Sequence, residues 1–165
     1  MGENVQPRII GRPGTMLLGI GGHLDRMFTA DADRAWNYTI NADVGRFLTR
    51  HILVQGGIAG TGTFGGDPTL ESGSGVAALH AFGGALWYFT PGSMASLYTG
   101  ATYWSQITQR DGPDNGSVLA TLGIQGALSS RASLFVEGGY GYSLTRNDEG
   151  LPTRMAARIG VRFKL

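Results

Sequence analysis

Apolar and polar positions alternate along much of this chain with a period of two, the signature of strands with one apolar face. The pattern is cleanest where Trp36, Tyr38, Ile40, Ala42 and Val44 oppose Asn37, Thr39, Asn41, Asp43 and Gly45. It returns where Leu134, Val136, Tyr140 and Tyr142 oppose Ser133, Glu137, Gly139, Gly141 and Ser143. The last segment repeats it, with Met155, Ala157, Ile159, Val161, Phe163 and Leu165 alternating with Arg154, Ala156, Arg158, Gly160, Arg162 and Lys164. Extended along the chain, the rhythm predicts eight strands, near 15–24, 35–47, 52–64, 76–89, 94–108, 117–128, 132–145 and 153–165. Most match or exceed the ~9 to 11 residues a tilted strand needs to cross a bilayer.

The connections also alternate. Thr49-Arg50-His51, Pro91-Gly92 and Ser129-Ser130-Arg131 read as tight turns, whereas 25–34, 65–75, 109–116 and 146–152 are longer and polar. Short turns on one side and longer loops on the other are the sidedness of an outer-membrane barrel. The acidic residues follow the same scheme. Nine of the twelve (Asp25, Asp31, Asp33, Asp67, Glu71, Asp111, Asp114, Asp148 and Glu149) fall in the longer connections, and Glu3 lies in the N-terminal tail. Only Asp43 and Glu137 remain inside strands, both on the polar face, as lipid exposure of the other face requires. Residues 1–14 contain Pro7 and Pro13 and lack alternation, so they are expected to form a flexible extension ahead of a barrel spanning 15–165.

Composition narrows the class. The 28 glycines and a charged share of only 15%, against roughly a quarter in ordinary globular domains, suit a tightly curved sheet. No run approaches the ~20 apolar residues of a membrane helix, so a membrane reading must be a barrel. The first residues carry no basic stretch followed by an apolar one, so no secretory signal is read there. A net charge of +1 gives no electrostatic case for nucleic acid, and the absence of cysteine excludes disulfides and thiolate chemistry.

The C-terminal run Arg158-Ile159-Gly160-Val161-Arg162-Phe163-Lys164-Leu165 resembles the assembly signal of outer-membrane barrels, with Arg158, Gly160 and Phe163 at its polar, glycine and aromatic positions. Leu165 stands in place of the terminal aromatic. Together with the eight-strand rhythm, the chain resembles the small barrel group that includes the OmpA membrane domain, OmpX and OmpW. That resemblance implies an all-β, eight-stranded antiparallel up-and-down transmembrane barrel in a bacterial outer membrane. It also implies lipid and the barrel assembly machinery as partners, and a monomer that needs no cofactor. Some barrels of this size are lipid A deacylases or acyltransferases that use a His and a Ser. His23, His51 and His80 precede Leu24-Asp25, Ile52-Leu53 and Ala81-Phe82, so none stands in the His-x-Ser arrangement of the deacylases, and no catalytic or metal site is assigned.

Two sets of side chains remain as candidates. Arg154, Arg158, Arg162 and Lys164 share one face of the last strand and would point into the lumen, where Asp43 and Glu137 could pair with them. Trp36, Tyr38, Trp87, Tyr88, Phe89, Tyr103 and Trp104 gather toward strand ends and would suit the aromatic girdles of a membrane interface. The expected function is a non-enzymatic outer-membrane barrel with a side-chain-filled lumen and a structural or surface role. The alternatives are passage of small or apolar molecules across the membrane and a soluble lipocalin-like barrel that binds a ligand inside.

Overall fold

A computed structural model of the chain describes residues 11–28, 36–64, 78–107, 116–144 and 153–165, with backbone alone at 25–28, 36–37, 63–64 and 153–154. Its eight strands are β1 (Met16–Phe28), β2 (Trp36–Phe47), β3 (Ile52–Phe64), β4 (Ala78–Tyr88), β5 (Ala95–Gln106), β6 (Ser117–Ala127), β7 (Ala132–Ser143) and β8 (Thr153–Lys164). Each pairs antiparallel with its sequence neighbours, and β8 closes on β1 from Leu17↔Lys164 to Phe28↔Thr153. The strands are 11 to 13 residues long, enough to cross a bilayer at a tilt.

The predicted elements all occur, with one extension. β1 continues through Asp25-Arg26-Met27-Phe28, where two charges in succession had pointed to a loop. Asp25 instead pairs with Asn37 on β2 and Ala156 on β8. The four longer connections and their acidic residues, Asp31, Asp33, Asp67, Glu71, Asp111, Asp114, Asp148 and Glu149, lie outside the described residues.

The turns at the other end are built by local chemistry. In Thr90-Pro91-Gly92-Ser93, Pro91 presets the first central position and Gly92 takes φ +86°, which makes a type II turn closed by Ser93 N–H on Thr90 O. Arg12-Pro13-Gly14-Thr15 repeats the device just ahead of β1, with Thr15 N–H on Arg12 O. Of the tail expected at 1–14, only Gly11 to Gly14 are described. Gly11 is buried, so close to Arg50 O and Pro91 that no Cβ would fit, and Gly14 N–H donates to Phe47 O.

The inside and outside of the barrel are inverted relative to a soluble protein. Ile40, Ile58, Leu122 and Ile159 point outward and are more than half exposed, while Asn41, Asp43, Gln125 and Arg162 point inward and are at most 2% exposed. A lipocalin-like barrel needs the reverse, an apolar interior under a polar coat, and this chain does not have it. The outward apolar band is flanked by aromatics at both ends. Trp87, Phe89 and Phe163 lie toward the short turns, and Tyr38, Tyr103, Tyr140 and Tyr142 toward the long connections.

Two aromatics assigned to the girdles belong elsewhere. Tyr88 and Trp104 are 0% and 4% exposed and point into the lumen. In a strand, neighbours face opposite ways, so Tyr88 cannot share a surface with Trp87 and Phe89, nor Trp104 with Tyr103. The Trp36 side chain lies outside the described residues.

An arginine placed in the outward band should be costly where one at a turn is not. Leu122→Arg and Ile159→Arg should each lose ~2 to 4 kcal/mol of folding stability in lipid vesicles, and Ser130→Arg in the exposed β6–β7 turn under about 0.5 kcal/mol, by denaturant titration. Equal penalties at the three positions would show that the outward face does not meet hydrocarbon.

Candidate functional site

The inward positions of seven strands converge on one polar network. At its centre Arg162 on β8 is 1% exposed. Its Nη1 donates to Tyr88 Oη of β4 at 3.0 Å and to Gln125 Oε1 of β6 at 2.9 Å, and its Nη2 donates to Gln55 Oε1 of β3 at 2.7 Å. The acceptors are themselves held. Tyr88 O–H donates to Gln125 Oε1 at 2.6 Å, and Gln125 Nε2 donates to Ser133 Oγ of β7 at 2.6 Å. Because Gln125 spends its oxygen on Arg162 and Tyr88 and its amide on Ser133, the network fixes which way that amide points.

Four residues earlier on the same face of β8, Arg158 meets Glu137 of β7, with Nε 2.8 Å from Oε1. The two are close but poorly aligned for a hydrogen bond, so the contact is chiefly an ion pair. The other carboxylate oxygen of Glu137 accepts the Tyr98 O–H of β5 at 2.6 Å. Asp43 of β2 stands between the two arginines, 4.0 Å from Arg158 Nη1 and 4.0 Å from Arg162 Nε, and accepts from Asn41 Nδ2 at 3.4 Å. Phe135 lies against both guanidinium groups, its ring centroid 4.9 Å from Arg158 Cζ and 4.3 Å from Arg162 Cζ. β1 contributes space. A Cβ at Gly19 would lie 2.5 Å from the Asp43 carboxylate, so this wall must be bare for Asp43 to sit there.

Apolar side chains close the lumen around this network. Toward the turn end, Leu17, Phe47, Leu53, Leu86, Tyr88 and Tyr98 form one cluster, all but Leu17 at most 1% exposed. Toward the long connections, Ala59, Phe82, Trp104 and Leu119 form a second, with Phe82 and Trp104 stacked at 4.5 Å. Small cavities of about 20 Å³ lie among the described lumen residues. One, near the turns, is bordered by Leu17, Phe47, Gln125, Ser133, Arg162 and Lys164. Another is bordered by His23, Trp104, Thr121, Glu137 and Arg158. Each has room for about one water.

An inward-facing, charge-balanced network inside a closed barrel with an apolar exterior decides the architecture. The chain has the fold of the small bacterial outer-membrane β-barrels. Solved structures agree. Neisserial surface protein A superposes with a TM-score of 0.69 at 12% identity, over 91% of this chain and 97% of that one. The N-terminal β-barrel domain of Pseudomonas aeruginosa OprF gives 0.59 at 16%, over 93% and 98%. Ail, the attachment invasion locus protein of Yersinia pestis, gives 0.53 at 14%, over 93% and 99%. No protein family and no curated protein matches the sequence.

The structure thus brings Asp43, Glu137, Arg158 and Arg162 together. Lys164 keeps the inward parity but lies exposed at the turn-end mouth, and the Arg154 side chain lies outside the described residues. Gln55, Tyr88, Tyr98, Gln125 and Ser133 were not anticipated as network members. Each has the inward parity, which is the signal that could have found them. The histidines are dispersed. His51 stacks on Trp87 in the β2–β3 turn and its Nδ1 lies 2.7 Å from Tyr88 O, while His23 and His80 flank Trp104 at ring distances of 5.3 and 6.4 Å.

Glu137 is the member whose loss the network can least absorb, since it balances Arg158 and receives Tyr98. Glu137→Gln should destabilise the folded barrel by about 3 kcal/mol, because it leaves a buried guanidinium without its nearest counter-charge and with only the more distant Asp43. Adding Arg158→Met should recover part of that loss. Denaturant titration of both variants in vesicles checks this, and an undiminished loss in the double variant would show that the ion pair is not the cause.

Proposed function

We propose that this chain is a non-enzymatic integral protein of a bacterial outer membrane whose lumen is sealed to ions and whose role is structural or at the cell surface. The observation that carries this reading is the full burial of Arg162 against three neutral acceptors from three strands, beside an apolar layer that fills the lumen. An aqueous pore needs polar side chains that face water. Here they face one another. A barrel of ~8 strands encloses an interior that side chains just fill, and these do.

The same reading accounts for β8. Phe163 and Leu165 are exposed on the outward face while Gly160 lies on the inward one, so the two apolar side chains of the terminal signal are presented outward for the assembly machinery to recognise. Tyr103, Tyr140 and Tyr142 against Trp87, Phe89 and Phe163 mark the two interfaces between which the barrel sits.

Wild-type protein in a planar bilayer should show little steady conductance, and trimming the seal with Arg162→Ala and Tyr88→Ala together should open a measurable leak. Large, stable wild-type currents would defeat the sealed-lumen reading and put passage of small molecules in its place.

A further inference from the structure

The short-turn end of the barrel carries an uneven rim of charge. Arg12, Arg46, Arg50, Arg131 and Lys164 are all exposed there. Among the described residues no acidic side chain at that end is exposed, because Asp43, the nearest on β2, points into the lumen. The cations occupy one arc. Arg50 lies in the β2–β3 turn, Arg46 on β2, Arg12 just ahead of β1, Lys164 at the end of β8 and Arg131 at the start of β7, and β3, β2, β1, β8 and β7 are consecutive neighbours in the closed sheet. The β4–β5 turn across the mouth, Phe89-Thr90-Pro91-Gly92-Ser93-Met94, carries no charge.

Arg46 decides what this arc meets. It stands on the outward face of β2, opposite Met16 of β1 and Val54 of β3, and its neighbours on that face, Val44 and Leu48, are exposed and apolar. Trp87 at the end of β4, Phe89 just past it and Phe163 near the end of β8 are exposed toward the same end of the barrel. An anion that reaches Arg46 therefore comes from the lipid side, where a soluble polymer beneath the membrane does not reach. Anionic lipid attracts cations that sit within a Debye length of its surface.

We propose that this arc is a docking surface for the phosphate headgroups of anionic phospholipids in the leaflet that contains the short turns. Arg46 receives the phosphate from the side, and Arg50 and Arg131 receive it from the turns, so the barrel gathers an anionic annulus on the β7–β8–β1–β2–β3 side and leaves the β4–β5 side neutral. The proposal rests on the reading that this end lies at a membrane surface.

Native mass spectrometry tests it. Protein folded in detergent micelles, verified by heat-modifiable migration on a gel, is offered dioleoyl phosphatidylglycerol or dioleoyl phosphatidylcholine at equal concentration. Wild type should retain the glycerol lipid at least about fivefold more, a preference that fades in high salt. The variant Arg46→Gln/Arg50→Gln/Arg131→Gln should lose that preference, the corresponding lysine variant should keep it, and Arg34→Gln/Arg110→Gln/Arg146→Gln, in the long connections, should leave it unchanged. Equal retention of both lipids by folded wild type, or the same loss from the long-connection variant, would overturn the proposal while leaving the barrel reading intact. A wild type that stays soluble and monodisperse without detergent would overturn both.

Discussion

The pairing of β8 with β1 leaves no strand edge, and in hydrocarbon an edge would be a row of amide and carbonyl groups with nothing to bond. Each unsatisfied group would cost several kcal/mol, so closure is the condition on which every other feature depends. It explains why eight strands of 11 to 13 residues recur without a helix among the described residues. It also explains why the turns at one end are as tight as Pro91-Gly92 allows, since antiparallel neighbours can be joined directly.

Closure creates a second requirement, because one face of every strand is turned into a space too narrow for bulk water. Polar groups placed there must satisfy one another. The chain meets most of this with a balanced set, Arg158 and Arg162 against Asp43 and Glu137, and with neutral acceptors arranged so that Arg162 is held by hydrogen bonds while its counter-charge stands 4.0 Å away; among the described residues, Gln55 Nε2, Arg158 Nη2 and Arg162 Nε make no hydrogen bond. The two arginines are thus held in different ways. Arg158 depends on the contact with Glu137, and Arg162 on Gln55, Tyr88 and Gln125. Aromatic rings fill the gaps between them. Phe135 lies against both guanidinium groups, which lets a charged pair of layers share one apolar spacer.

Most of the architecture was legible in the sequence because a period of two is a local signal. The alternation along β2, β7 and β8 placed Ile40, Val136 and Ile159 outward, and put Asp43, Glu137, Arg158 and Arg162 on the face that the structure turns inward. Proximity to a strand end was a poorer guide than parity. It grouped Trp87, Tyr88 and Phe89, although the pleat sends the middle ring into the lumen. Charge was misleading at Asp25 and Arg26, where the ladder to β2 and β8 extends β1 past the expected break. The partners of Arg162 were beyond reach for another reason. Gln55 is 107 residues away and Tyr88 74, and which inward residues meet depends on the stagger of the closed sheet, which no single strand encodes.

The central claim is that alternate residues of each strand face lipid and a dry, packed lumen. The absence of cysteine makes it directly testable. Single cysteines at 118 to 122 and at 124 along β6 can each carry a spin label in protein folded into vesicles. Labels at the outward positions Val118, Ala120, Leu122 and Ile124 should collide freely with dissolved oxygen, which concentrates in the bilayer, and little with a water-soluble nickel chelate. Labels at Leu119 and Thr121 should be shielded from both; Gly123, where a Cβ would meet Tyr98 and Glu137, and Gln125, which holds Arg162, are left unlabelled. A period of two in oxygen accessibility is the expected result. Outward labels open to the chelate, or a strand with no alternation, would contradict the account.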